Sequence, residues 1–85
     1  MDSVSIGAYV GFMEYEIDAI GLLCPLPVLR LRKRMAPLPV GTRVRLIADD
    51  PAAIVDVPHF CTESGHRFVD MSEQDGQLVF IVEKL

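Results

Sequence analysis

Tryptophan is missing from this chain and aromatic residues make up only 7% of it, so any core must be modest and mainly aliphatic. Basic residues are scarce as well. Eight Lys and Arg stand against twelve Asp and Glu, and the resulting net charge of -4 opposes direct association with nucleic acid, which needs an excess of phosphate-neutralising cations. Only two cysteines occur, too few and too far apart for a disulfide framework, and no Cys or His cluster has zinc-ligand spacing. This usage fits reduced thiols in a cytoplasm and implies neither metal nor cofactor. The apolar stretch 1–12 is too short to span a bilayer and lacks the basic start and cleavage context of a signal peptide, so neither membrane nor export is indicated. It is read as a flexible N-terminal extension, with 13–85 as the folded domain.

What remains is one small domain: 85 residues, 51% of them hydrophobic, near the lower size limit at which packing alone sustains a fold. From Met13 to Ala19, apolar and acidic residues alternate as in a strand with one buried face. Gly21 breaks that pattern, and Pro25 suits the first turn of a helix, which is expected to begin at Cys24. Along it Val28, Leu31 and Met35 form a stripe, with Arg30, Lys33 and Arg34 on the other side. A second strand follows over 42–48. Asp49 and Asp50 before Pro51 then announce a second helix, expected to run from Pro51 toward Ser64 with a kink or shortening at Pro58. Arg67 to Met71 and Gln77 to Glu83 alternate again around an Asp75-Gly76 turn. The predicted fold is an α/β (α+β) two-layer sandwich of order β-α-β-α-β-β, a four-stranded mixed sheet with both helices on one face.

Chemistry centres on Cys24-Pro25-Leu26-Pro27. Prolines at the first and third helical positions remove two backbone donors, which leaves the Leu26 N–H as the expected partner of the Cys24 sulfur. The partial positive charge of a helix N-terminus is expected to lower the thiol pKa below the ~8.5 of a free cysteine. Pro27 occupies the place where a Cys-x-x-Cys oxidoreductase has its resolving thiol. The residues alone leave two readings open, a nucleophile at a helix start or a small buried hydrophobe.

Gly21-Leu22-x-Cys24-Pro25-x-Pro27, Asp49-Asp50-Pro51-Ala52 and Asp56-x-Pro58-x-Phe60-Cys61 resemble, in that order, the motifs of the TusA/SirA-like sulfur-carrier family. The resemblance covers nearly everything from Tyr15 to Leu85. It implies that Cys24 accepts sulfane sulfur as a persulfide from a cysteine desulfurase or rhodanese-like donor, and relays it to a downstream acceptor protein. Related pathways include tRNA thiolation, molybdenum-cofactor maturation and sulfur oxidation. A sulfurtransferase-type carrier of this kind needs no second thiol nearby, since one would attack the persulfide and release its outer sulfur. Pro25, Leu26 and Pro27 are then supporting residues.

Arg30, Lys33 and Arg34 are candidates for partner docking, weighed against a merely solvated helix face. Cys61 reads as an inert core thiol, Asp49 and Asp50 as helix caps, and His59 and His66 as surface residues without companion ligands. Asp18 is expected near Cys24, where its charge would raise the thiol pKa. Two alternatives stand beside the carrier: a regulatory or adaptor module without chemistry at Cys24, and a thiol redox protein pairing Cys24 with Cys61.

Overall fold

The structure, a computed structural model, describes residues 14–85; the extension over 1–12 and Met13 lie outside the described residues. Six elements follow in the predicted order: β1 (Glu14–Ala19), α1 (Leu26–Met35), β2 (Arg43–Ala48), α2 (Ala53–Ser64), β3 (Arg67–Gln74) and β4 (Gln77–Glu83). The strands form one mixed sheet of order β1-β2-β4-β3. The β1 and β2 strands run parallel with Ile17 opposite Leu46, as a helical crossover between them requires, while β4 is antiparallel to both β2 and β3.

Alternation decides which face is covered. Ile17 and Ala19, Val44, Leu46 and Ala48, and Leu78, Phe80 and Val82 all point to one side, where they share a single buried cluster with residues from both helices. To that cluster α1 contributes Leu31 and Met35, with Pro27 also buried, and α2 contributes Ala53, Val57, Phe60 and Cys61. Both helices therefore lie on one face. Each fully buried Leu, Val or Phe is worth roughly 1.5–3 kcal/mol, so a cluster of this size suffices for a small domain. The other face carries cross-strand ion pairs, Arg45 to Glu16 at 3.5 Å and Arg43 to Glu83 at 3.9 Å.

Three boundaries differ from the sequence-based expectation by two residues or more, and β2 starts one residue late, at Arg43 rather than Thr42. Helix α1 starts at Leu26 rather than Cys24, because its first backbone bonds run to Leu23 and Pro25 and leave Cys24 in the preceding turn. Helix α2 starts at Ala53 rather than Pro51, and it runs through Pro58 for twelve residues without being cut short. The apolar contacts of Val57, Phe60 and Cys61 on both sides of Pro58 hold the helix together where one backbone donor is missing. Strand β3 extends three residues past Met71 to Gln74, since the two-residue turn at Asp75 and Gly76, both with positive φ, keeps the hairpin paired to its tip. A register shift between Phe68 and Asp70 had no sequence signal.

Candidate functional site

Parallel pairing of β1 and β2 has a direct consequence for chemistry. The chain leaves the carboxyl ends of both strands at the same rim of the sheet, so the starts of α1 and α2 are brought side by side. Cys24 comes from the first of these turns. It is exposed, whereas Cys61 is buried in α2, and neither is in a disulfide.

Four aspartates organise this rim. Asp18 Oδ1 accepts the Ile20 N–H at 2.9 Å, and Asp49 Oδ1 accepts the Gly21 N–H at 3.0 Å. Asp50 takes two donors, the Cys24 N–H at 2.6 Å on one oxygen and the Ala52 N–H at 3.1 Å on the other. It thereby joins the β1–α1 turn to the start of α2. The fourth is Asp56, in the first turn of α2, whose Oδ2 accepts a hydrogen bond from the Cys24 thiol at 2.8 Å. The peptide bond between Cys24 and Pro25 is cis.

These contacts correct the expected electrostatics. The Leu26 N–H donates to the Leu23 carbonyl at 2.8 Å and is not available to the sulfur. The Cys24 pKa is raised rather than lowered, first by the hydrogen bond to Asp56, then by desolvation, then by the charges of Asp56 and Asp50. Two nearby carboxylates outweigh the fraction of a positive charge at a helix start. Asp18 takes no part; its side chain holds the Ile20 amide, and its carbonyl accepts from Arg30 Nη1 at 2.8 Å.

An open groove of about 160 Å³ runs beside the thiol between the two helices, lined by Val28 and Phe60 on its apolar side and by Arg32, Asp56, His59 and Glu63 on its polar side. Arg32 lies over the Phe60 ring at 5.6 Å, and His59 is 3.4 Å from Glu63, so both side chains already have partners. On the far side of α1, Leu22, Leu26, Leu29, Arg30 and Lys33 line a second shallow groove. Leu23 is 69% exposed, and Leu26 and Leu29 are about half exposed, which gives the surface next to Cys24 an apolar patch with a basic rim. Arg34 is exposed further along α1.

The structure thus brings Cys24, Pro25 and the exposed Leu26 to one rim, with Pro27 buried beneath them and Arg30 and Lys33 alongside. His59 is exposed; His66 is half-buried, its ring tilted against Phe60 and its Nδ1 accepting the Leu85 N–H at 3.3 Å, not a plain surface residue. Asp56, the partner of the thiol, was not singled out from the sequence, although the Asp56-x-Pro58 motif contains it. The usable signal was topological: a polar residue in the first turn of α2 must face the start of α1 if β1 and β2 are parallel neighbours. Among the described residues, no group of three or more His, Cys, Asp or Glu side chains is arranged to hold a metal ion.

Comparison with known proteins gives a consistent result. A sequence profile of the family described as sulfurtransferase TusA matches residues 15–84. The chain is 36% identical over 72 residues to the sulfur carrier protein TusA of Pseudomonas syringae, covering 85% of this chain and 86% of the relative. It is 42% identical over 69 residues to a putative sulfur carrier protein of Archaeoglobus fulgidus, covering 80% and 90% respectively. Among solved structures, a SirA-like protein from Desulfitobacterium hafniense superposes with a TM-score of 0.69 at 26% identity, over 84% of this chain and 95% of that one.

Proposed function

Because the chain belongs to the TusA sulfurtransferase family, we propose that it is a sulfur carrier that holds sulfane sulfur as a persulfide on Cys24 and passes it between proteins. The observation that carries this reading is the contrast between its two thiols. Cys24 stands exposed at the mouth of the groove, while Cys61 is 2% exposed and its pKa is pushed up to about 11 by burial. A persulfide on Cys24 therefore meets no second reactive thiol of its own chain, and its outer sulfur is kept for a partner.

Loading begins with a donor protein that carries a persulfide, formed by a cysteine desulfurase or a rhodanese-like enzyme. The Cys24 sulfur attacks the outer sulfur of that persulfide, the donor cysteine departs, and the loaded carrier meets an acceptor whose thiol repeats the exchange. Pro25, Leu26 and the buried Pro27 shape the turn that presents the sulfur. Leu23, Leu26 and Leu29 with Arg30, Lys33 and Arg34 form the docking surface, apolar at its centre and basic at its rim.

Intact mass after incubation with a cysteine desulfurase and cysteine tests the proposal, with a low-molecular-weight persulfide as a second donor. The wild-type protein gains one sulfur atom that reductant removes, and Cys24→Ser gains none. If neither donor adds sulfur, or if Cys24→Ser is loaded as readily as the wild type, the carrier reading is wrong. Loading from the desulfurase alone should slow as salt rises, because the basic rim steers a protein donor and not a small molecule.

A further inference from the structure

The contact between Cys24 and Asp56 goes beyond presentation of a thiol. Residues 32 positions apart are brought to 2.8 Å, the thiol donating and the carboxylate accepting, at the end of the groove that a reacting sulfur must approach. The other charged or titratable groups around this point are Asp50 in the turn before α2, Arg32 on α1, and His59 and Glu63 further along α2. Asp50 is occupied by two backbone N–H groups, Arg32 by the Phe60 ring, and His59 by Glu63. Asp56 is the group left facing the sulfur.

Resting on the carrier reading, we propose that Asp56 is the proton acceptor of sulfur transfer: its Oδ2 takes the thiol hydrogen of Cys24 as Sγ attacks the donor persulfide. In that step the S–H bond of Cys24 breaks and its proton moves to Asp56. The Sγ electron pair forms a bond to the outer sulfur of the donor, R–S–S–H. The donor S–S bond breaks, and its electron pair leaves on the inner sulfur as R–S⁻, which receives the proton from Asp56. Cys24–SH and R–S–S–H become Cys24–S–S–H and R–SH. No external oxidant or reductant is involved, since the transferred sulfur keeps its oxidation state. Delivery runs the same steps backwards, with Sγ leaving together with a proton held on Asp56.

Two consequences follow from the geometry. While the carrier is empty, the carboxylate keeps the exposed sulfur as a thiol, and adventitious alkylation or oxidation, which proceeds through the thiolate, is slow. Once the carrier is loaded, Sγ no longer bears a hydrogen. The outer sulfur, about 2 Å beyond it, gives up its proton to solvent, and the resulting anion is turned away from Asp56 by like charge. The same side chain thus distinguishes the empty carrier from the loaded one.

The test exploits the fact that a charge brake and a proton acceptor predict opposite signs. In Asp56→Asn the carboxylate charge is gone, so alkylation of Cys24 by iodoacetamide at pH 7 rises several-fold. Single-turnover loading from saturating persulfide donor falls by about a hundredfold or more, the lower end of the range that a positioned base contributes. Asp56→Glu keeps a carboxylate and recovers part of the lost rate, and circular dichroism of each variant confirms folding. Loading that rises with alkylation, or stays unchanged, in Asp56→Asn overturns the proposal while leaving the carrier reading intact. Unchanged alkylation also overturns it, because the contact would then be absent in solution. A wild-type protein that takes no sulfur from either donor fails at the earlier step and removes both.

Discussion

At the scale of single residues the rim is an acidic setting for the Cys24 thiol, held by side chains that the sequence presents as helix caps. Asp50 does cap, through its bond to the Ala52 N–H, but its other oxygen fixes the Cys24 amide at 2.6 Å. Replacing it with alanine frees two backbone donors, each bonded to a charged group. The change should cost about 1–3 kcal/mol and speed hydrogen exchange at the Cys24 amide more than at Leu31 in the core of α1. Unaltered exchange at Cys24 would show that the turn is held by something else. Cys24 itself was legible from its neighbours, since a cysteine before a proline-marked helix start is a recognisable pattern. The direction of its pKa was not. Helix polarity is a local property of the sequence, whereas the carboxylates that overcome it come from residues 50 and 56, and only tertiary structure places them.

At the scale of elements the alternation of β1, β2 and β4 and the stripe on α1 fixed the fold class, because burial on one face leaves a period that survives in the sequence. Ends were less legible. The starts of both helices shifted by two residues, since the proline-containing turns 24–25 and 51–52 satisfy their backbone groups before the regular helix begins. The end of α2 matches its signal: Gly65 adopts a φ of 78°, and its N–H closes the helix on the Cys61 carbonyl. A Cβ there would meet nothing within 4 Å, so Gly65→Ala is opposed by backbone conformation alone. It should lower stability by about 1–2 kcal/mol, read as a lower urea midpoint with an unchanged slope. A loss well above that range would mean that the substitution disturbs packing as well.

At the scale of the whole molecule, stability depends on two buried or half-buried groups that must stay uncharged. Desolvation, helped by the charge of Lys84, holds the His66 pKa below its ordinary value, so neutral imidazole is the form that fits the fold. Its contribution is complete above the ~6.5 of a free histidine and is lost as pH falls through the lowered folded value. Burial raises Cys61 to about 11. The contribution of that thiol is complete below the ~8.5 of a free cysteine and is lost as pH rises toward the folded value. Urea midpoints measured across pH should therefore form a plateau between about 6.5 and 8.5, with a decline on each side. His66→Gln should flatten the start of the acid decline and Cys61→Ala should weaken the alkaline one; a decline unchanged by its own variant would remove that group as its cause.

The last two residues tie down the rim opposite the thiol. Lys84 Nζ reaches the Met35 and Ala36 carbonyls at 3.0 Å each, its backbone bonds Gly41 and Thr42, and the Leu85 amide rests on His66. Ten helical residues, about 15 Å, separate this anchor from the start of α1. A dye placed at Leu85 would consequently ride at the opposite end of α1 from Cys24, whereas removing Lys84 and Leu85 would unfasten that end.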